Sequence, residues 1–138
     1  MANQIKVQLE QVSPATTEAS IRDHRVLIDR PESKGGADQG PMGGELFLAA
    51  IGGCFMSNLL AAIRARNAAV SRVHTEVAGT LAEAPARFEA VELFVTAEYQ
   101  NRDEFEKLVE IAERGCIMVN TLRGKLDLKV HIGVGQAA

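Results

Sequence analysis

Ile5, Val7 and Leu9 alternate with Lys6 and Gln8, a period of two that belongs to a strand with one buried face, and Pro14 breaks it. A first strand is expected there. Residues 17–21 read as a second extended piece, Arg22-Asp23-His24 as a polar turn, and Val26-Leu27-Ile28 as a third strand, which together make an antiparallel meander. From Arg30 to Gly44 the chain runs RPESKGGADQGPMGG, five glycines and two prolines in fifteen residues with no apolar period, and is expected to be a loop whose glycines give it flexibility. Loops of that length inside a compact domain are usually functional or disordered. Residues 45–66 then predict a long helix, apolar nearly all round until Arg64 and Arg66, and such a helix must be enclosed. Val73, Thr75, Val77, Gly79 and Leu81, and on the far side of Ala84-Pro85-Ala86 the residues Val91, Leu93 and Val95, predict two hairpin-paired strands. Asp103 with Glu106 has the spacing of a helix N-cap and its partner acid; Phe105, Leu108, Val109 and Ala112 follow at helical intervals, and Arg114-Gly115 closes the element. A short helix over 117–122 and a last alternating strand through Leu126, Leu128, Val130 and Ile132 complete the order βββαββααβ. The expected class is α+β, one domain over residues 1–138, with helices segregated from antiparallel sheet.

Composition narrows the functions open to such a chain. Fifteen Lys and Arg against eighteen Asp and Glu leave a formal charge of −3, which is the wrong field for a nucleic acid or an anionic membrane. The absence of Trp, with one Tyr and five Phe, leaves little to stack on bases. The uncharged run from Leu46 to Ile63 has the length of a short membrane span, but Gly52-Gly53 and Ser57-Asn58 sit at its centre and no aromatic belt flanks it, so a buried central helix is expected. MANQIKVQLE has no apolar stretch behind basic residues, so the cytoplasm is the expected compartment.

The two cysteines, Cys54 and Cys116, are 62 positions apart and fit neither a disulfide scaffold nor a paired zinc motif. Two readings stay open: buried thiols acting as small hydrophobes, or a redox pair. Each lies beside glycine, where a small reactant can approach closely. A redox pair needs one thiol held as thiolate, which requires a cation or hydrogen-bond donors. Arg30, at the head of the glycine-rich loop, is the best-placed cation in sequence and Arg25 the second; Glu45, nine positions before Cys54, could anchor the arginine or simply suit a helix start. Met42, Met56 and Met118 are candidate lining for an apolar pocket or ordinary gap-fillers. His24, His74 and His131 lack metal-ligand spacing, and the glycine pairs lack nucleotide-binding spacing, so neither a metal nor an organic cofactor is expected.

Gly40-Pro41, then Glu45-Leu46 running through Ala49-Ala50-Ile51-Gly52-Gly53-Cys54, together with Ala112-Glu113-Arg114-Gly115-Cys116 and Asn120-Thr121-Leu122-Arg123-Gly124, resemble the two cysteine motifs of the OsmC/Ohr family of osmotically inducible and organic hydroperoxide resistance proteins. The resemblance implies an OsmC-like fold of antiparallel sheets on two central helices, an intertwined homodimer, and a thiol-dependent peroxidase that reduces organic hydroperoxides. It implies that Cys54 is the peroxidatic cysteine and Cys116 the resolving one, with Glu45 and Arg30 in the carboxylate and arginine roles and an external dithiol as reductant. The chain departs from the peroxidase branches where it has Gly44 in place of an acid and Ile117 in place of a proline, and its Glu45 spacing resembles the broader OsmC-like branch. A non-enzymatic dimeric module, binding a small apolar ligand or a partner protein and keeping both thiols in its core, is the competing expectation.

Overall fold

The computed structural model describes residues 3–133. Compactness divides the chain after Phe47 into two units. The first holds β1 (Gln8–Gln11), β2 (Thr17–Ile21) and β3 (His24–Ile28), an antiparallel sheet in the order β1-β2-β3. Ala19 is its buried residue and pairs with Val26, while Arg22 takes the left-handed conformation (φ 53°) that lets β2 turn back into β3. The strand β1 starts later than the alternation predicts, because its ladder with β2 runs from Gln8↔Ser20 to Gln11↔Thr17 and leaves Ile5 and Val7 outside it.

The glycine-rich loop is folded back on β3. The Asp29 N–H donates to the Pro41 carbonyl and the Asp38 N–H to the Arg30 carbonyl, both at 3.0 Å, and residues 32–34 form a single 3-10 turn. A side chain on Gly40 would collide with the Leu27 carbonyl, and one on Gly36 with that of Arg30. These two glycines therefore serve close backbone approach rather than the flexibility expected of them. Gly40→Ala is expected to lower stability by about 3 kcal/mol or more, because the obstructing atom is main chain and cannot rotate away. A chemical denaturation midpoint equal to that of wild type would contradict it.

The helix α1 (Gly43–Ala65) begins in the first unit and continues through the second, where β4 (Val70–Ala82) and β5 (Arg87–Tyr99) form a long antiparallel hairpin. α2 (Arg102–Gly115) and α3 (Ile117–Leu122) follow, and β6 (Asp127–Ile132) joins the edge of β5 to give the order β4-β5-β6. The α+β class and the element order match the expectation. One strand direction does not: β6 runs parallel to β5, so this sheet is mixed. The two intervening helices carry the chain back to the end of the sheet where β5 started, and a strand begun there runs alongside β5. The cap of α2 also differs, since the Asn101 side chain accepts the Glu104 N–H at 3.1 Å, while Glu106 pairs with Arg102 at 2.9 Å.

Ile51, Phe55 and Leu59 of α1, Val91, Leu93 and Val95 of β5, and Phe105, Leu108 and Ala112 of α2 are closed to solvent and make the core of this unit. Their spacings of three or four on the helices and two on the strand are what pack a helix face onto a sheet. Helix and sheet approach closely beside Cys54, because a Cβ on Gly52 would lie 2.7 Å from Val77 Cγ2 and the Thr75 hydroxyl lies 3.1 Å from Met56 Sδ. The opposite face of α1 is open among the described residues: Ala49, Ala50, Gly53, Leu60 and Ala61 are exposed. By length and composition α1 is apolar enough to cross a membrane, and only a third of its most apolar eighteen residues is buried within the chain.

Candidate functional site

Cys54 and Cys116 meet. Cys54 lies half-buried on the middle of α1, and Cys116 is fully buried at the break between α2 and α3, where its backbone turns extended (φ −80°, ψ 116°). Both are free thiols, near enough that each acts on the ionisation of the other. Cys116 also serves as the N-cap of α3, its Sγ accepting the Val119 N–H at 3.5 Å.

The two sulfurs are electrostatically unequal. Burial pushes the Cys54 thiol up, but the Met118 N–H, the Cys116 thiol and the Ile117 N–H all aim at its sulfur and bring it below the ordinary thiol range. Burial raises Cys116 as well; the Val119 and Met118 N–H groups work against that, while the hydrogen bond and the charge of Cys54 add to it, so Cys116 stays above the ordinary range. The half-buried Cys54 thiol is thus shifted down and the buried Cys116 thiol shifted up from the same ordinary value. Chemically this is a candidate nucleophile with a second thiol as its neighbour.

The other candidates stand in the first unit. The Asp29 carboxylate, buried at the end of β3, accepts the Thr16 hydroxyl at 2.8 Å and the N–H groups of Arg30 (2.7 Å), Gln39 (3.1 Å) and Ala37 (3.3 Å). Burial raises its carboxyl, and the donors from Thr16, Gln39, Arg30 and Ala37 outweigh that and hold it below the usual carboxylate range. Asp29 thus fixes the backbone from which Arg30 projects. Arg30 is exposed and, with Lys34, Met42 and the first turn of α1, lines a cavity of about 570 Å³. Arg25 is engaged elsewhere, 3.7 Å from Glu18. Glu45 does not pair with Arg30: its Oε1 accepts the Met42 N–H at 2.8 Å, the returning half of a capping box, and it borders a neighbouring hollow with Met42. Of the three methionines, Met42 lines these cavities, Met56 contacts Thr75, and Met118 acts on Cys54 through its main chain.

Among the described residues no group of three His, Cys, Asp or Glu side chains is placed to hold a metal. His131 is tied to Glu92 at 2.8 Å and stacked on Phe94, and His24 and His74 are exposed. Sequence reasoning missed Asp29 and the main-chain donors of α3. An acid at a strand end ahead of a Pro/Gly-rich loop is a signal for the first, since short carboxylates gather loop N–H groups. The second leaves no side-chain signal at all.

An α+β chain of this element order, with one thiol on a long apolar helix touching another at a helix junction, defines a recognisable class of proteins. The family model for OsmC-like protein matches residues 35–131, and the chain belongs to that family. Solved structures agree on the fold. An OsmC-like protein from Mycoplasma pneumoniae superposes with a TM-score of 0.83 at 15% identity, covering 96% of this chain and 98% of that one. The organic hydroperoxide resistance protein OsmC from Legionella pneumophila gives 0.73 at 21% identity, covering 97% and 99%. The organic hydroperoxide resistance protein OhrB of Bacillus subtilis gives 0.67 at 21%, covering 95% and 98%. No curated protein matches the chain in sequence.

Proposed function

We propose that the protein is a thiol-dependent peroxidase that reduces organic hydroperoxides in the cytoplasm, with Cys54 attacking and Cys116 resolving. The observation that supports this is the unequal pair of neighbouring thiols, Cys54 half-buried and shifted down, Cys116 fully buried and shifted up. In the first step Cys54 thiolate attacks the terminal oxygen of ROOH; the S–O bond forms, the O–O bond breaks, and RO⁻ leaves and takes a proton to become ROH. In the second, the Cys116 sulfur attacks the Cys54 sulfenic acid; the S–S bond forms and hydroxide leaves with the Cys116 proton as water. An external dithiol then reduces the disulfide by exchange. The arginine and carboxylate roles are assigned to Arg30 and Glu45 by the same proposal; within their own unit Arg30 lines a cavity with Met42, and Glu45 caps the turn at Met42. Hydroperoxide resistance in the names of the Legionella and Bacillus proteins supports the same substrate class.

The working unit is proposed to be a homodimer, in which a second copy covers the exposed face of α1 and the apolar Ile5, Val7, Leu9 and Val12. One preparation tests both statements. Sedimentation is expected to give twice the chain mass, and cumene hydroperoxide is expected to be consumed with dithiothreitol but far more slowly with a monothiol. A monomer overturns the assembly, and a chain that consumes no hydroperoxide overturns the peroxidase.

A further inference from the structure

The loop between β3 and α1 carries two cations four positions apart. Arg30 follows closely on β3, and Lys34 ends the 3-10 turn, which Gly35 closes in the left-handed conformation (φ 88°). Main-chain bonds fix that turn: the Lys34 N–H donates to the Pro31 carbonyl at 2.9 Å and the Gly36 N–H to the same carbonyl at 3.1 Å. Both side chains line the cavity of about 570 Å³ in the first unit, and Pro14, Ala15, Ile28 and Met42 give it an apolar lining.

Neither cation is neutralised there. Arg25, Arg72, Arg102, Arg123 and Lys129 are ion-paired, whereas Arg30 and Lys34 have no ion pair among the described residues. Asp29 also lines the cavity, but its oxygens are occupied by the Thr16 hydroxyl and the amides of Arg30, Ala37 and Gln39. Two positive side chains against one carboxylate leave the cavity with a single surplus positive charge. Other hollows differ: the one of about 420 Å³ that Arg114 and Arg123 line also holds Glu110 and Glu113, and the one of about 430 Å³ that Glu45 lines holds Asp38 and no cation.

We infer that the Arg30 and Lys34 cavity is a binding site for a small organic monoanion, a carboxylate with an apolar body, and that Lys34 selects its charge. The volume lies in the range of small-molecule sites, and one surplus charge suits a carboxylate better than a phosphate dianion. Arg30 offers the carboxylate a planar fork and Lys34 a point charge, while Ile28 and Met42 meet the hydrocarbon. Binding of this kind takes place within the first unit and needs no hydroperoxide.

Octanoate and its neutral isostere octanamide are titrated into reduced wild type, Lys34→Gln and Lys34→Arg, and followed by backbone amide NMR. Octanoate is expected to shift the amides of residues 34–36 and 42–44 and to bind about tenfold tighter than octanamide, with salt narrowing the difference because exposed charges are screened. Lys34→Gln is expected to weaken octanoate by about three- to fivefold, the range of one exposed charge pair, and to leave octanamide unchanged, while Lys34→Arg keeps wild-type affinity. Equal affinity for the two probes overturns the inference. So do shifts confined to the exposed face of α1, which mark adsorption on apolar surface, and a Lys34→Gln variant that binds octanoate like wild type. A wild type that binds octanoate through Lys34 but consumes no hydroperoxide supports the anion site and overturns the peroxidase reading.

Discussion

Cys54→Ser is expected to abolish dithiol-dependent consumption of cumene hydroperoxide, with the rate falling by at least about a thousandfold to the uncatalysed background. The substitution is nearly isosteric on a half-buried position of α1, and its hydroxyl accepts from the same Ile117 and Met118 N–H groups, so the fold and the apolar faces around it stay intact. What disappears is an atom that can ionise at all in the working pH range, since a thiol ionises at about pH 8.5 before any shift and an alcohol does not. Stopped-flow loss of hydroperoxide measures the change, and the melting temperature of the variant checks that the loss is chemical. Retention of more than a tenth of wild-type turnover would remove Cys54 from the reaction. It would return the protein to the competing picture of a binding module with two structural thiols.

Much of this architecture was readable along the chain because a half-buried strand and an amphipathic helix each impose their own period. Val91, Leu93 and Val95 all turned inward as their alternation predicted, and Phe105, Leu108, Val109 and Ala112 did so at helical spacing. The hairpin extends beyond the alternating residues, to Val70↔Tyr99 at one end and Ala82↔Arg87 at the other, since ladder hydrogen bonds are main-chain and do not need the alternation to continue. The direction of β6 was not readable, because Leu128, Val130 and Ile132 alternate identically whichever way the strand runs. The site divides along the same line. Two cysteines among 138 residues were conspicuous as a pair, and each acts on the ionisation of the other. A cation or hydrogen-bond donors were expected beside Cys54, with Arg30 first among the cations; the groups that lower its thiol within its own unit are the Met118 and Ile117 amides and the Cys116 thiol, and main-chain donors leave no mark in the sequence. Glu45 and Asp29 exchange importance for a related reason: the acid with the more conspicuous position caps a helix, and the one hidden at a strand end organises the loop that carries Arg30.

Cys116→Ser separates the resolving role of that sulfur from its structural one. A serine at this N-cap accepts the Val119 N–H at least as well as sulfur does, and its hydroxyl can still donate to Cys54, so α3 and the Cys54 anion are preserved. The first peroxide equivalent is therefore expected to be consumed at close to the wild-type rate, leaving a sulfenic acid on Cys54 that dimedone traps. With no sulfur to displace it, that intermediate waits for an external thiol, and steady-state turnover with dithiothreitol falls by about tenfold or more. Excess hydroperoxide carries it on to sulfinic acid, an irreversible loss visible as two added oxygens in the intact mass. Cys116→Ala makes the contrasting control. It also lacks the resolving sulfur, but it loses the cap as well, at about 1 kcal/mol of stability, and it removes one donor from Cys54. Alanine should thus slow the first equivalent where serine does not. If serine leaves multiple turnover and resistance to overoxidation at wild-type levels, Cys116 is a helix cap alone, and the reduction of Cys54 proceeds without it.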